Sequence, residues 1–326
     1  MGLHPEQLDE HARVILGSRR ILHRQVVLCE GERSAPADRQ RRPSPQTYRR
    51  QETLPDSNFY RRCVPPHWRD RPPQFFNCGD RLDVLQTYAR LRQLHAEDSA
   101  ASYLDPEKLY AIVDLDLQPA ALEHSPCATT EELHEALYAQ TMLRQPLAGE
   151  HRIWVTALIH KEAFFVLPSV ACVYDELHDP PYLDGRRLDL IELCRDAARA
   201  IDPSTPAPDH GLVKHFEIAR RRLSRWAPPV SLDMDEPEAL SRSWLAALGD
   251  GDPSTSRTEA LARVLFLVTK AKPHWKRIEP PSGGDYTSTA DHFRGQLALA
   301  VAGHIASLPP EAHPIAGFFE HLHAQR

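Results

Sequence analysis

The sequence predicts an α/β fold with a mostly parallel sheet flanked by helices, followed by a helical C-terminal part. Over the first 180 residues, short apolar runs ended by Gly or charged residues alternate with amphipathic segments, which is the pattern of βαβ units. From about residue 186 onward, only helical periodicities follow one another, separated by Pro- and Gly-rich breaks. We therefore expect an α/β domain over 1–180, interrupted by an Arg- and Pro-rich insertion at 33–55, and a helical region over 181–326.

Four segments of the first half are predicted to form the strands. Each is short and apolar and lacks strict alternation, as is typical of parallel strands that are covered by helices on both faces. The four segments are VVLC (26–29), QFFNC (74–78), LYAIVDLDL (109–117) and RIWVTALI (152–159).

Helices are predicted between and after these strands. Residues 81–95 carry an apolar stripe at helical spacing, and residues 130–143 begin with acidic residues that favour the positive end of the helix dipole. The other predicted helices are one within 1–20, one over 56–63 that starts at Asp56 or Ser57, one that follows His160 and ends before Pro168, and six in the second half over 188–201, 211–226, 235–248, 257–271, 289–307 and 314–324.

Composition excludes several classes of protein. The chain has 326 residues, of which 41% are hydrophobic and 26% are charged, values close to those of ordinary globular proteins and unlike those of a disordered or fibrous chain. The sequence contains no run of about 18 apolar residues, so it predicts no membrane span. The first residues lack the basic-then-apolar layout of a secretory signal. The six cysteines form no CxxC pair, which favours reduced thiols and a cytoplasmic location.

Positive charge is concentrated near the N-terminus, although the net charge of the chain is −6. Residues 33–73 contain 10 Arg and no Lys against 4 acidic residues. Guanidinium groups suit phosphate contacts because each can bind two oxygens at once, but a solvated loop accounts for the same composition equally well. The candidate nucleic-acid contacts in this segment are Arg39, Arg41, Arg42, Arg49 and Arg50.

Acidic residues follow three of the predicted strands. Glu30 closes the first, Asp114 and Asp116 lie in the third, and Glu162 comes just after the fourth. Because open parallel sheets build their sites at the carboxyl ends of strands, we expect these side chains to converge. On an extended strand Asp114 and Asp116 would point to the same side, where their repulsion favours binding of a cation such as Mg²⁺ or Mn²⁺. A metal bound in this way can polarise a phosphodiester and activate water.

Each of these residues also has a purely structural explanation. Glu30 could cap a helix at a glycine turn, and the helix dipole alone favours an acid at Glu162. Asp56 could act only as a helix cap, and His160, although it adjoins the predicted site, could be an ordinary core or surface histidine.

Five blocks of the sequence occur in the order found in TOPRIM domains: VVLCEGE, DSNFYRRC, FFNCGDRLDVLQTY, LYAIVDLDL and IHKEAFFVLP. Roughly residues 20–175 therefore resemble the TOPRIM domain, and in particular bacterial TOPRIM-like proteins and the related overcoming-lysogenization-defect nucleases. The resemblance implies a metal-dependent nuclease that uses Mg²⁺ or Mn²⁺. Several members of that group are toxic effectors in anti-phage defence that act beside an ABC-type ATPase.

The resemblance also implies roles for individual residues. Glu30 matches the glutamate that serves as metal ligand or general acid/base, and Gly31 matches the glycine of the following turn. Asp114 and Asp116 match the metal-binding DxD pair, and Glu162 falls where the family carries a further charged residue near the fourth strand.

The chain departs from the family pattern at two places. The stretch from Arg33 to Pro55 separates the EG pair from the next acidic position, for which Asp56 is the nearest equivalent. Arg81 has to stand in for a basic residue that the family carries near Gly79.

Three functions follow from this sequence. The first is a nuclease that cleaves RNA or DNA, is regulated by a partner and forms a homo-oligomer. The second is a TOPRIM-fold scaffold that has lost catalysis and serves an ATPase complex. The third is a phosphatase of the haloacid-dehalogenase type, with Asp114 as nucleophile and Asp116 as acid, although that motif normally lies near the N-terminus and continues with Gly or Thr, and here Leu117 and Gln118 follow.

Overall fold

The computed structural model describes residues 4–31, 55–68, 70–139, 141–144, 150–226, 228–249, 256–281 and 289–325. The candidate nucleic-acid contacts Arg39, Arg41, Arg42, Arg49 and Arg50 lie outside the described residues.

A four-stranded, all-parallel sheet forms the centre of the first half, which confirms the predicted fold class. The described strands, in chain order, are β1 (Val26–Cys29), β2 (Gln74–Asn77), β3 (Leu109–Val113), β4 (Tyr138–Ala139), β5 (Met142–Leu143), β6 (Ile153–Val155), β7 (Tyr182–Leu183), β8 (Arg186–Arg187) and β9 (Ile278–Glu279). The sheet has the order β2-β1-β3-β6, so β1 and β3 are its central strands. Every residue of these four strands is buried, which is why their sequences show no polar alternation.

Helices surround the sheet and make up most of the second half, as predicted. In chain order they are α1 (Pro5–Leu16), α2 (Pro55–Arg62), α3 (Arg81–Glu97), α4 (Thr130–Leu137), α5 (Ala171–Asp175), α6 (Leu190–Arg199), α7 (His210–Lys214), α8 (Phe216–Trp226), α9 (Pro237–Gly249), α10 (Ser256–Leu265), α11 (Lys272–Trp275), α12 (Ala290–Ile305) and α13 (Pro314–Ala324).

Local sequence accounts for where several helices begin. The Asp80 carboxylate accepts a hydrogen bond from the Asp83 backbone at 3.0 Å, and the Asp83 carboxylate accepts one from the Asp80 backbone at 3.2 Å. These reciprocal bonds satisfy two backbone donors at the start of α3. Thr129 and Asp189 cap α4 and α6 in the same general way.

The prediction of a helix over 130–143 is wrong beyond Leu137. The chain instead turns into the antiparallel pair β4–β5, in which Tyr138 pairs with Leu143. The Tyr138 hydroxyl donates a hydrogen bond to the Val155 carbonyl at 2.7 Å, and Thr141 has a φ of 63°. Anchoring of a buried phenol to the sheet therefore overrides the helical periodicity of this segment.

Three other predicted elements are much shorter than expected. The strand predicted over 109–117 ends at Val113, and the one predicted over 152–159 ends at Val155. The helix expected after His160 is a single 3-10 turn, Lys161–Phe165.

The helical half packs on the sheet through one continuous hydrophobic core. Helix α12 packs against α2, and α13 packs against β5. A small antiparallel sheet of order β8-β7-β9, which periodicity did not predict, joins distant parts of this half. Among the described residues, no helix combines the length and the apolar composition needed to span a bilayer. All six cysteines are free.

Arg222 on α8 connects the two halves. Its side chain is only 1% exposed and pairs with Glu131 at 2.6 Å. It also donates hydrogen bonds to the carbonyls of Leu267 at 3.1 Å and of Asp116 at 2.6 Å. One buried guanidinium therefore holds together α4, the helical half and the segment after β3.

We expect Arg222→Met to lower the free energy of unfolding by about 3–5 kcal/mol, because it leaves the Glu131 carboxylate buried without its cation. Urea denaturation followed by circular dichroism measures this loss. Arg220→Met is the matched control on the same helix. Arg220 and its partner Glu217 are 46% and 71% exposed, so its loss should cost less than about 1 kcal/mol. Equal losses for the two variants would contradict the connecting role of Arg222.

Candidate active site at the carboxyl ends of the sheet

Glu30 and Asp114 meet at the carboxyl edge of the sheet, as the sequence predicted. Glu30 directly follows β1, and Asp114 directly follows the neighbouring parallel strand β3. The Asp114 backbone N–H donates a hydrogen bond to Glu30 Oε1 at 2.7 Å. The register of the two strands, in which Cys29 pairs with Ile112, brings these residues side by side.

The Asp114 carboxylate is itself held in place by the chain that follows β6. Its Oδ2 lies 3.2 Å from His160 Nδ1, and its Oδ1 accepts a hydrogen bond from the Lys161 backbone at 3.2 Å. Burial raises the pKa of Asp114, but the bond to His160 and the positive charge of Lys161 outweigh that effect and lower its pKa below the usual value. Asp114 is therefore an anion at neutral pH.

Lys161 provides the central positive charge of the site. Its side chain is 9% exposed, and Nζ lies 2.8 Å from Asp56 Oδ1 and 3.5 Å from Glu162 Oε1. Burial lowers the pKa of Lys161, but the charges of Asp56, Glu162 and Asp114 outweigh it and raise the pKa well above its usual value. The second oxygen of Glu162, Oε2, is buried and has no hydrogen-bond partner among the described residues.

Glu30 is the acid of the site whose pKa is strongly raised above its ordinary value. Burial and the neighbouring Asp114 charge raise its pKa to about 8, against the smaller effects of the Asp114 N–H, Lys161 and Arg81. The carboxyl group is therefore largely protonated at neutral pH and can exchange its proton near that pH. Groups with such a pKa are suited to general acid/base chemistry.

Gly31 and Gly79 allow the elements around the site to approach one another. Their backbones bond reciprocally, from Gly31 N to Gly79 O at 2.9 Å and from Gly79 N to Gly31 O at 3.0 Å. Gly31 has a φ of 148°, and a Cβ there would lie 2.5 Å from Asp56 Oδ2 and 2.8 Å from Asn77 Cγ. Only glycine fits, and its small size lets Asp56 of α2 reach Lys161 although the insertion precedes it.

Asp116 is arranged differently from its predicted role. Because β3 ends at Val113, the expectation that Asp114 and Asp116 point to the same side of an extended strand is wrong. Asp116 has a φ of 49°, and its Oδ1 accepts the backbone N–H of Leu117 at 2.7 Å. The backbone N–H of Asp116 donates to the Ile159 carbonyl at 3.1 Å, while its own carbonyl accepts from Arg222. Its carboxylate thus supports the turn after β3.

The acids of the site offer oxygen atoms, the type of ligand that a hard divalent cation takes. The Lys161 ammonium contacts the carboxylates of Asp56 and Glu162, and its charge also acts on Glu30 and Asp114, so these four acids outnumber the nearby cations Lys161 and Arg81. Oxygen ligands completed by water are what Mg²⁺ and Mn²⁺ prefer. Within the described part of the chain, however, the one group of three potential ligands with all ligand atoms within 4.8 Å of one another does not include Asp116 or any other residue of this site.

Two features of the site escaped sequence reasoning. The first is Lys161, although a lysine inside the apolar run IHKEAFFVL is a signal of a buried, paired charge. The second is Thr156. Its hydroxyl accepts from Leu115 N at 3.1 Å and donates to the Leu158 carbonyl at 2.6 Å, which fixes the two loops that carry Asp114 and His160.

Arg81 lies at the first turn of α3 and faces the same loop. Its Nη1 donates a hydrogen bond to the Leu115 carbonyl at 3.1 Å, and its charge acts to lower the pKa of Glu30. Arg81 therefore occupies the site edge as a second cation beside Lys161.

Comparisons of the chain with protein-family models, with curated proteins and with solved structures find no match.

The raised pKa of Glu30 predicts an unusual dependence of stability on pH. Its folded pKa of about 8 exceeds the ordinary value of 4.5, so the folded state binds more protons between these values and loses stability as the pH rises through them. In the presence of EDTA, wild type should therefore lose a few kcal/mol relative to Glu30→Gln between about pH 4.5 and 8, and no more above pH 8.

Urea denaturation of both proteins at a series of pH values measures this difference. Glu107→Gln, at a side chain that is 78% exposed, is the control for the loss of a surface carboxylate. A constant difference for Glu30→Gln would contradict the raised pKa of Glu30.

Proposed function

We propose that this protein is a Mg²⁺- or Mn²⁺-dependent nuclease of the TOPRIM type that hydrolyses phosphodiester bonds in RNA or DNA. The observation that carries the proposal is the 2.7 Å hydrogen bond from the Asp114 backbone N–H to the Glu30 carboxyl group, which sets these two acids side by side at the carboxyl edge of the parallel sheet. This pair occupies the positions that the resemblance assigns to the catalytic acids.

The roles of the residues follow from their surroundings. Glu30 and Asp114 would hold the ion, which when bound neutralises charge on the phosphate and acidifies a water molecule. Without the ion, Glu30 has a pKa of about 8 and exchanges its proton near neutral pH, whereas with the ion bound it would serve as an ionised ligand. His160 and Lys161 orient the Asp114 carboxylate, and Lys161 also fixes Asp56 and Glu162.

Substrate binding and regulation belong to the same proposal. Arg39, Arg41, Arg42, Arg49 and Arg50 would contact the phosphate backbone independently of sequence. The net charge of −6 disfavours tight binding of nucleic acid by the isolated chain, which supports control by a partner. We accordingly propose a cytoplasmic, toxic effector of anti-phage defence that forms a homo-oligomer and acts beside an ABC-type ATPase.

A catalytically inactive TOPRIM-fold subunit of an ATPase complex is the second candidate. Two observations favour it: the Lys161 ammonium already pairs with Asp56 and Glu162, and the Asp116 carboxylate accepts the hydrogen bond of the next backbone N–H. The same bond at Asp116, together with the contacts of His160 and Lys161 to Asp114, disfavours a phosphatase of the haloacid-dehalogenase type.

Cleavage of labelled RNA and DNA in Mg²⁺ or Mn²⁺ tests the nuclease proposal. We expect Glu30→Gln and Asp114→Asn to reduce cleavage by at least about 100-fold, the size typical of a lost acid/base group, and EDTA to abolish it. Asp105→Asn and Glu107→Gln are matched controls, because they lie before the amino end of β3 whereas Asp114 follows its carboxyl end. Circular dichroism checks that all four variants fold.

Three outcomes would contradict the proposal. Cleavage that both site variants retain would place the activity elsewhere, and absence of cleavage in the presence of the ATPase partner would favour the inactive subunit. Turnover of a phosphomonoester without cleavage of nucleic acid would favour the phosphatase.

A further inference from the structure

Two histidines and one glutamate lie together at the opposite edge of the molecule. His67 belongs to the loop after α2, and Glu320 and His323 lie three residues apart on α13. One ligand atom from each residue lies within 4.8 Å of the other two. Residues at this spacing share a face of a helix, and a Glu-x-x-His pair on one helix is a recurrent source of metal ligands.

The surrounding core fixes the positions of these residues. The His323 ring packs edge-on against Trp68, with centroids 5.3 Å apart, and against His67 at 5.1 Å. Trp68 is buried, as are Phe319 and Leu322 of α13. The buried Gln25 side chain donates a hydrogen bond to the Leu322 carbonyl at 3.0 Å, which ties this helix to the amino end of β1.

The neighbouring His321 serves a different purpose. Its ring packs against Trp154 and Tyr110, and burial together with the charge of Arg152 lowers its pKa to about 4. His321 is therefore neutral and packs against the core, whereas Glu320 and His323 of the same helix lie beside His67.

The chemistry of the three side chains differs from that of the acidic site. Two imidazoles and one carboxylate form the ligand set of Zn²⁺ and of the later first-row metals, whereas Mg²⁺ prefers oxygen ligands alone. Metal–ligand bonds of about 2.0–2.2 Å place tetrahedral ligand atoms about 3.3–3.6 Å apart. The ligand atoms, which lie within 4.8 Å of one another, would have to draw closer together on binding.

We infer that His67, Glu320 and His323 bind a transition-metal dication, with Zn²⁺ as the first candidate, and that the ion fastens α13 to the loop after α2. Three protein ligands leave at least one position to water. The ion would join residues that lie far apart in the sequence and would stabilise the folded state, because the unfolded chain does not hold the three ligands together. This inference is independent of the proposed nuclease activity.

Zinc titration of the full-length, chelator-treated protein by isothermal calorimetry tests the site. The chain has 18 histidines, so the expected result is one site tighter than the remaining weak binding, and an increase in Tm on the order of 5 °C at saturating Zn²⁺. His67→Gln and His323→Gln should each weaken this site by about tenfold or more and remove the Tm shift. His178→Gln, an exposed histidine elsewhere, is the matched control and should leave both unchanged.

His67 is exposed, so His67→Gln tests binding without disturbing the packing of His323 on Trp68. Equal Zn²⁺ affinity in wild type, His67→Gln and His323→Gln would overturn the assignment, and so would the absence of any binding tighter than that of the weak histidines. Mg²⁺ in place of Zn²⁺ should give no comparable shift.

Discussion

The buried ammonium group of Lys161 is the interaction on which the carboxyl edge of the sheet depends. Four carboxylates, those of Glu30, Asp56, Asp114 and Glu162, gather there around a few positive charges. Lys161 contacts three of them, two through its side chain and Asp114 through its backbone N–H, and the remaining excess is met by a proton on Glu30. Because a buried cation and buried anions are each costly alone, these groups hold one another in place. A dication bound at this site would have to replace the proton of Glu30.

Other elements of the fold position the residues at this carboxyl edge. Parallel pairing of β1 with β3 brings Glu30 beside Asp114, and the Gly31–Gly79 contact lets α2 approach closely enough for Asp56 to join them. The helical half takes part as well. Arg222 on α8 binds the Asp116 carbonyl and Glu131, so the turn after β3 is supported by residues from the second half of the chain. The predicted division near residue 180 marks a change in secondary structure, while the hydrophobic core runs across it without a break.

Two kinds of ligand chemistry lie at opposite edges of the same sheet. The carboxyl edge offers oxygen atoms and a titratable acid, which suit a hard cation and proton transfer. The amino edge offers two imidazoles and a carboxylate from the last helix, which suit a softer ion with a structural effect. Because the two edges offer different ligand atoms, an ion that suits one edge is poorly matched to the other, and the two proposed sites can be tested independently. An ion bound at the amino edge would give α13 a part in stabilising the fold.

The four sheet strands could be predicted from the sequence alone, because strands that are buried on both faces appear as short, mostly apolar runs without polar alternation. The acids at their carboxyl ends followed from strand direction, so the meeting of Glu30 with Asp114 was predictable. The left-handed backbone of Asp116 was not, because Ile159 and Arg222 impose it from distant parts of the chain. The end of α4 at Leu137 and the contacts of Lys161 were likewise decided by tertiary contacts. Local sequence encodes periodicity and burial, whereas the partners of buried polar groups depend on which distant residues pack beside them.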